Sequence, residues 1–298
     1  MASAARSDGG RPILVTGAGG LLGSEVVTSF RRAGRDVVAV ERATLDITDA
    51  PSVSALFEDV RPGVVVNCAA YTQVDRAESE PEAAYAVNRD GAGSVARAAA
   101  RCGARLIHIS PDFVFDGRAR RPYRPEDPTR PLGVYGASKH AGEEEVRRAG
   151  GAWAIVRTSW LYGRGGRNFV DRILERARTG EPLRVVADQR GRPTAAPGLA
   201  DTLRALDDLG ATGIWHVADG GEATWFELAR EACRLAGLTP ELTPVATGDW
   251  PAPAPRPPYS VLDLERTERA LGRPFADWRS ALEGYLASGA DLVSGGRG

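Results

Sequence analysis

Pro12 to Gly23 reads PILVTGAGGLLG, and this stretch decides the fold. Pro12 to Thr16 is a short apolar, β-branched run, which reads as a buried strand. Glycines at 17, 20 and 23 then give G-x-x-G-x-x-G, and a helical pattern follows from Ser24 to Ala33. Small residues between a strand and a helix permit a tight turn. They also let a pyrophosphate approach backbone N–H groups at the helix N-terminus. A glycine motif alone is weak and suits a flexible loop equally well; the strand-turn-helix context gives it meaning. Gly17, Gly19, Gly20 and Gly23 are therefore candidate cofactor contacts.

Working outward, Asp36 to Val40 (DVVAV) is a second strand ending at Glu41-Arg42. An acidic residue about 20 positions past the glycines can bind the adenosine ribose 2′-hydroxyl of NADH. Arg42 suits the 2′-phosphate of NADPH instead, so the cofactor choice stays open between the two. Asp46 and Ile47 follow in Leu45 to Asp49 (LDITD), placed to border an adenine pocket. Thr48 or Asp49 there would equally cap the helix from Pro51 to Asp59. Gly63 to Ala70 (GVVVNCAA) is a third buried strand. It ends in the small residues Ala69 and Ala70, which a ring can approach, with Tyr71 just beyond. A long helix is expected over Tyr85 to Ala100, then a fourth strand over Ala104 to Ser110. Strands alternating with helices specify an α/β fold with a doubly wound parallel sheet, Rossmann-like. Its ligand belongs at the C-terminal strand ends, where the glycine loop, Ala69 and Ser110 all fall. His108 alternates within its strand and reads as a core residue.

Val134 to Lys139 (VYGASK) opens the next helix, Tyr135 to Arg148. Tyr135 and Lys139 lie four residues apart, hence on one helix face. A cation beside a phenol favours phenolate and lowers its pKa, which makes the pair a candidate general acid/base. Tyr-x-x-x-Lys is common, and an exposed lysine beside an incidental tyrosine is the plain alternative. Lys139, however, is the only lysine in the chain; every other basic side chain apart from histidine is arginine. That points to a position needing a compact ammonium rather than a planar guanidinium. A further strand, Trp153 to Tyr162, places Trp160 at its end.

Past Gly163 the alternation breaks. Pro111 to Pro131 reads as an ordered surface loop, and Trp250 to Pro258 (WPAPAPRPP) as an extended polyproline segment. The expected organisation is a disordered start (1–10), a dinucleotide-binding domain (11–165) with a late strand returning near 213–217, a smaller substrate-binding lid (166–287) and a disordered tail (288–298).

Composition narrows the function classes. The 298 residues are 43% hydrophobic and 26% charged, with a net charge of −1, so nothing draws the chain to nucleic acid. No apolar run approaches the roughly 20 residues that span a bilayer. Met1 to Gly10 has no apolar signal core. Cys68, Cys102 and Cys233 are scattered, as are His108, His140 and His216, so neither a metal site nor a disulfide framework is expected. A reducing cytoplasm is the natural setting.

These motifs together resemble the extended short-chain dehydrogenase/reductases and, within them, the dTDP-4-dehydrorhamnose reductase family. The similar stretches are LDITD (45–49), NCAAYTQVDRAE (67–78), VFDG (114–117), YGASK (135–139), RTSWLYG (157–163), DQRGRPT (188–194), GIWHV (213–217) and RPPYSVLD (256–263). They run from about Arg11 to about Tyr285. The resemblance implies hydride delivery from NADPH or NADH to the C4 ketone of a dTDP-4-keto-6-deoxy-hexose. It implies that Tyr135 donates the proton, and that Lys139 binds the nicotinamide ribose and depresses the Tyr135 pKa. Gly20, Leu21 and Leu22 would touch the pyrophosphate, and Asp46 with Ile47 the adenine side. Trp160 would line the sugar pocket, and Pro111, Asp112, Asn168 and Arg256 complete the substrate-side candidates. A homodimer stays open as the assembly.

The chain departs from that family at one place. The family pattern has Ser-Thr-Asp-Tyr before Val-Phe, its threonine bonding the substrate oxygen; here the residues are Ser110-Pro111-Asp112-Phe113. Proline has neither a hydroxyl nor an N–H. Ser110, a water or Asp112 is left to replace the hydroxyl, with Ser110 expected to serve if the strand has ended or bent there. The alternatives are a 4-ketoreductase for a specialised natural-product deoxysugar, or a non-catalytic nucleotide-binding regulatory subunit. A dehydratase is disfavoured by the absence of a glutamate after Asp112.

Overall fold

The computed structural model describes residues 10–294, with side chains through residue 288. From its N-terminus the chain runs β1 (Ile13–Thr16), α1 (Leu21–Arg32), β2 (Val37–Val40), α2 (Ala50–Val60), β3 (Val64–Asn67), α3 (Val74–Ala77) and α4 (Pro81–Tyr85). A π-helical turn (Ala86–Gly91) leads into α5 (Ala92–Arg101), β4 (Arg105–Pro111), α6 (Val134–Ala149) and β5 (Trp153–Thr158). The second half holds β6 (Leu161–Tyr162), α7 (Phe169–Arg178), β7 (Leu183–Val186), β8 (Arg190–Gly191), β9 (Thr194–Ala195), α8 (Ala196–Asp208) and β10 (Gly213–His216). It ends with β11 (Ala223–Thr224), α9 (Trp225–Leu235), β12 (Leu242–Val245), α10 (Glu265–Leu271) and α11 (Trp278–Ser294).

Six strands form one parallel sheet in the order β10-β5-β4-β3-β1-β2. Helices cover both faces, which is why the strands read as near-continuous Val/Ile runs. One face packs α1 and α8, with Val26, Phe30, Leu199 and Leu203 against Ile13, Val15 and Val66. The other packs α2, α5 and α6, with Phe57, Val95 and Val146 against Leu14, Val65 and Ile155. The chain steps outward from β1 to β2, then returns to β3 on the far side. That reversal opens a crevice at the strand C-termini, where α/β sheets bind ligands. A second core, including Tyr162, Leu174, Leu183, Leu228, Trp278 and Leu282, builds the smaller half from α7, α9, α11 and β7.

Several sequence expectations change. The helix expected over 85–100 is broken into α4, the π-helical turn and α5. The Asn88 carbonyl lies where a Cβ on Gly142 would come within 2.1 Å, so α6 crosses this turn at backbone distance and only glycine fits. The 111–131 segment is no mere surface loop. Phe115 and Tyr123 are buried and stacked at 4.2 Å in a small core with Leu262 and Leu264. Backbone helix continues through Ser294, over part of the tail expected to be disordered; residues 295–298, like the expected disordered start at 1–9, lie outside the described residues. No described helix is long and apolar enough to cross a membrane.

Candidate active site

The glycine turn is shaped by close backbone contacts. Gly17 has φ +67°, and a Cβ there would meet Ala69 N at 2.7 Å; a Cβ on Gly23 would meet the Gly17 carbonyl at 2.1 Å. A side chain at either position would push the turn open. The N-cap of α1 is Gly20, with no side-chain cap, so the first-turn amides near Leu21 and Leu22 are left for an anion. This is the donor set a dinucleotide pyrophosphate requires, and the residues present fit one.

Around it, the Glu41 carboxylate lies beside Gly19, where an added Cβ would come within 2.8 Å of it. The Arg42 side chain is 86% exposed, its Nε 3.9 Å from Asp46. Asp46 accepts from the Thr48 amide (3.0 Å) and hydroxyl (2.8 Å), which hold its carboxyl below the usual range. Asp49 is the residue that caps α2. Ile47 is buried, its side chain packed against Gly91. Ala69 is tied through its amide to Asn67 Oδ1 (3.2 Å), and Ala70 follows it in the loop after β3. The Tyr71 amide donates to Asn88 Oδ1 (2.9 Å). Asn88 Nδ2 in turn donates to the Tyr71 carbonyl (3.1 Å) and to Ser138 Oγ (3.0 Å), clamping this loop to α6.

On α6, Tyr135 is half-buried, its ring edge-on to Phe113 with centroids 5.6 Å apart. Burial, reinforced by the nearby Asp112, pushes its phenol above the ordinary value. In this structure the direction of the shift is set by desolvation and Asp112. Lys139 is buried, and its Nζ donates to the Ile109 carbonyl at 2.7 Å. Burial lowers its pKa to about 8, opposed chiefly by the charge of Glu143.

Ser110 is not where the sequence placed it. The strand does not end there: β4 continues to Pro111, paired with Thr158. Neighbours on a strand face opposite ways. Ser110 turns beneath α6 and donates its hydroxyl to Glu143 Oε1 at 2.6 Å, fully buried. Pro111 sits beside Thr158, whose buried hydroxyl has no partner among the described residues, a feature sequence reading missed. Asp112 is 2% exposed, with Oδ2 likewise unpartnered. Burial raises its pKa to about 7, partly offset by Ser260 and the local backbone amides.

The strand ends open into a cleft of about 790 Å³ between the two halves. Trp160 lines it, stacked on Trp225 at 3.7 Å and 7°. Trp160 holds φ +46°, a strained value for a large side chain, and its ring leaves no room for a Cβ on Gly191. Arg172 and Arg184 also line the cleft, their guanidinium groups with no hydrogen bond or ion pair among the described residues. No motif had singled out Trp225, Arg172 or Arg184. Arg256 lines it too but is gripped by Asp75 in a two-pronged ion pair (2.6 and 2.8 Å) that ties the polyproline segment to α3. Asn168 is a correction: it is buried and caps α7, accepting from the Asp171 amide at 3.0 Å and donating to the Gly163 carbonyl at 2.9 Å. No group of three or more His, Cys, Asp or Glu among the described residues is arranged to hold a metal ion.

Comparison with known proteins places this geometry. The family described as RmlD substrate binding domain matches residues 11–290. A dTDP-4-dehydrorhamnose reductase of Streptomyces griseus is 45% identical over 276 residues, covering 90% of this chain and 91% of the relative. A probable dTDP-4,6-dihydroxy-2-methyloxan-3-one 4-ketoreductase of Streptomyces antibioticus is 43% identical over 274 residues, covering 90% and 92%. Among solved structures, dTDP-4-dehydrorhamnose reductase of Bacillus anthracis in complex with NADP superposes with a TM-score of 0.90 at 35% identity, covering 93% of this chain and 99% of that one. With a family model matched over residues 11–290 and relatives at these identities along nearly its whole length, the chain belongs to the dTDP-4-dehydrorhamnose reductase family.

Proposed function

We propose that this chain reduces the C4 ketone of a dTDP-4-keto-6-deoxy-hexose to the alcohol with NADPH or NADH, as a cytoplasmic enzyme of deoxysugar biosynthesis. The observation that carries this reading is the Tyr135/Lys139 pair at the C-terminal edge of a parallel sheet: Lys139 is held on the end of β4, and Tyr135 packs against Phe113, which lines the aromatic, arginine-bearing cleft. The glycine turn and the first amides of α1 would hold the pyrophosphate of the dinucleotide, whose reduced nicotinamide would supply the hydride. C4 gains the hydride, the carbonyl π pair moves onto oxygen, and Tyr135 donates its proton there. A buried phenol gives up a proton at a cost. Lys139, fixed on the Ile109 carbonyl, is the cation that stabilises the phenolate left behind. Arg172 and Arg184 offer uncommitted charge to the diphosphate, and the Trp160–Trp225 stack an apolar wall. Asp112, whose carboxyl near neutrality retains a proton in part of the population, is the group beside Tyr135 that offers the hydrogen bond Pro111 lacks.

Pro111 in the ladder favours a second reading within the same chemistry, a specialised 4-keto sugar of a natural-product route. A panel of dTDP-4-keto-6-deoxy sugars followed by nicotinamide absorbance separates the two. Turnover confined to one sugar identifies it. No oxidation with any sugar would overturn the catalytic reading in favour of a binding subunit.

Cofactor choice follows from Glu41 and Arg42. Glu41 repels a 2′-phosphate and Arg42 attracts one, so NADH and NADPH are both expected to work without a large preference. Arg42 is exposed, and a screened contact contributes about 1 kcal/mol. Arg42→Ala should therefore raise the NADPH KM by about fivefold and leave the NADH KM alone. An unchanged NADPH KM would show that Arg42 does not reach the phosphate.

A further inference from the structure

Tyr135, Lys139 and Glu143 occupy successive turns of one face of α6, and Glu143 has no solvent exposure. Arg157 of β5 reaches its two oxygens at 2.9 and 2.7 Å, and Ser110 of β4 donates to it at 2.6 Å. Adjacent residues of β4 are thus gripped from adjacent turns of α6: the Ile109 carbonyl by Lys139, the Ser110 hydroxyl by Glu143. A buried ammonium has three donors, and the Ile109 carbonyl satisfies one. The charged and titratable groups facing Lys139 are Cys68 after β3, His108 on β4 and Glu143 on its own helix. Burial keeps the Cys68 thiol neutral, its pKa raised to about 12, and holds the His108 imidazole neutral as well. Glu143, held well below the usual carboxylate range by Arg157, His140 and Ser110 against its own desolvation, is the anion of the set.

We propose that Glu143, fixed by Arg157 and Ser110, is a positioning residue that keeps the buried Lys139 charged and in register with Tyr135. This rests on the reading of Tyr135 and Lys139 as the reactive pair. A buried ion pair is weak support for stability, since apolar replacements are often neutral. Its setting here, one turn behind the chain's only lysine, gives it an electrostatic task instead.

That single lysine also makes the test direct. Lysine-selective ¹³C labelling of the full-length protein yields one side-chain signal, and its pH titration reads the Lys139 midpoint without any assay of turnover. Removing the anion disfavours the ammonium, so Glu143→Gln should move the midpoint down by about one pH unit, a tenfold change in proton affinity. The alkaline limb of kcat should move down with it, while the KM for the dTDP-4-keto sugar stays within about twofold. Glu143→Asp should restore part of the shift. If Glu143→Gln fails to fold, the double variant Glu143→Gln, Arg157→Met removes both charges; the midpoint should still move down, by less, because a cation is lost with the anion. A midpoint unchanged in a folded variant would overturn the proposal. If the wild-type protein turns over no sugar, the proposed function fails, and the titration still decides the role of Glu143.

Discussion

Tyr135→Phe is expected to lower kcat by roughly 10² to 10⁴, the usual worth of a positioned general acid. Folding and dinucleotide binding should remain. The phenol has no hydrogen bond to another described group, and phenylalanine keeps the edge-on contact with Phe113. The loss should appear in kcat and kcat/KM alike, because the proton is delivered only as the C4 oxygen gains charge. It also carries a pH signature. In the wild type the acid stays protonated across neutral pH, so activity should fall as Lys139 loses its charge near pH 8 rather than as Tyr135 titrates. The residual rate of the variant should be less steep there, since it leaves no phenolate for the ammonium to stabilise. A kcat within about tenfold of wild type would remove Tyr135 from the chemistry.

How far that site was legible in the sequence depended on whether a residue's partner was local. Tyr135 and Lys139 are one helical turn apart, and the glycines of the dinucleotide turn follow one another, so spacing alone puts them together. The sheet was legible for the same reason: each strand is a short Val/Ile run closed by small residues, and strict alternation with helices leaves few topologies. What failed involved contacts that no local pattern announced. Ser110 was offered to the site because it is adjacent to Pro111. Strand alternation sends it the other way, and only a carboxylate 33 residues later decides what it touches. Asn168 was a substrate-side candidate by resemblance, yet it is spent on the first turn of α7. The packing of Ile47 was not legible either: Gly91, in a turn no local pattern announced as π-helical, makes room for its side chain. Arg172, Arg184 and Trp225 were invisible as a set, coming from α7, β7 and the start of α9.

The largest stability effect belongs to Arg157, whose side chain is 1% exposed. Arg157→Leu leaves the Glu143 carboxylate buried without its main counter-charge, and removing one partner of a buried pair costs about 3–5 kcal/mol. It also removes a donor to the Pro125 carbonyl and the guanidinium over the Phe115 ring. The sign of the pH dependence is fixed. In the wild type Glu143 has a depressed folded pKa, so it contributes stability above its unfolded value of about 4.3, lost as pH falls toward the folded one. In Arg157→Leu desolvation dominates and that pKa rises, so the carboxyl takes up a proton on acidification and the deficit should shrink between pH 7 and pH 5. Adding Glu143→Leu removes the stranded charge and should recover most of the lost stability, less about 1–3 kcal/mol for the Ser110 hydroxyl left without an acceptor. Adding Ser110→Ala removes that remainder. Urea unfolding midpoints of the three variants at both pH values check this. A single variant within about 1 kcal/mol of wild type, or a double variant worse than the single, would mean that the pair is held for its own net attraction or not needed at all. If the double variant regains its stability while its Lys139 titrates lower and its turnover stays poor, stability and positioning separate, and the ion pair is retained for the ammonium it faces.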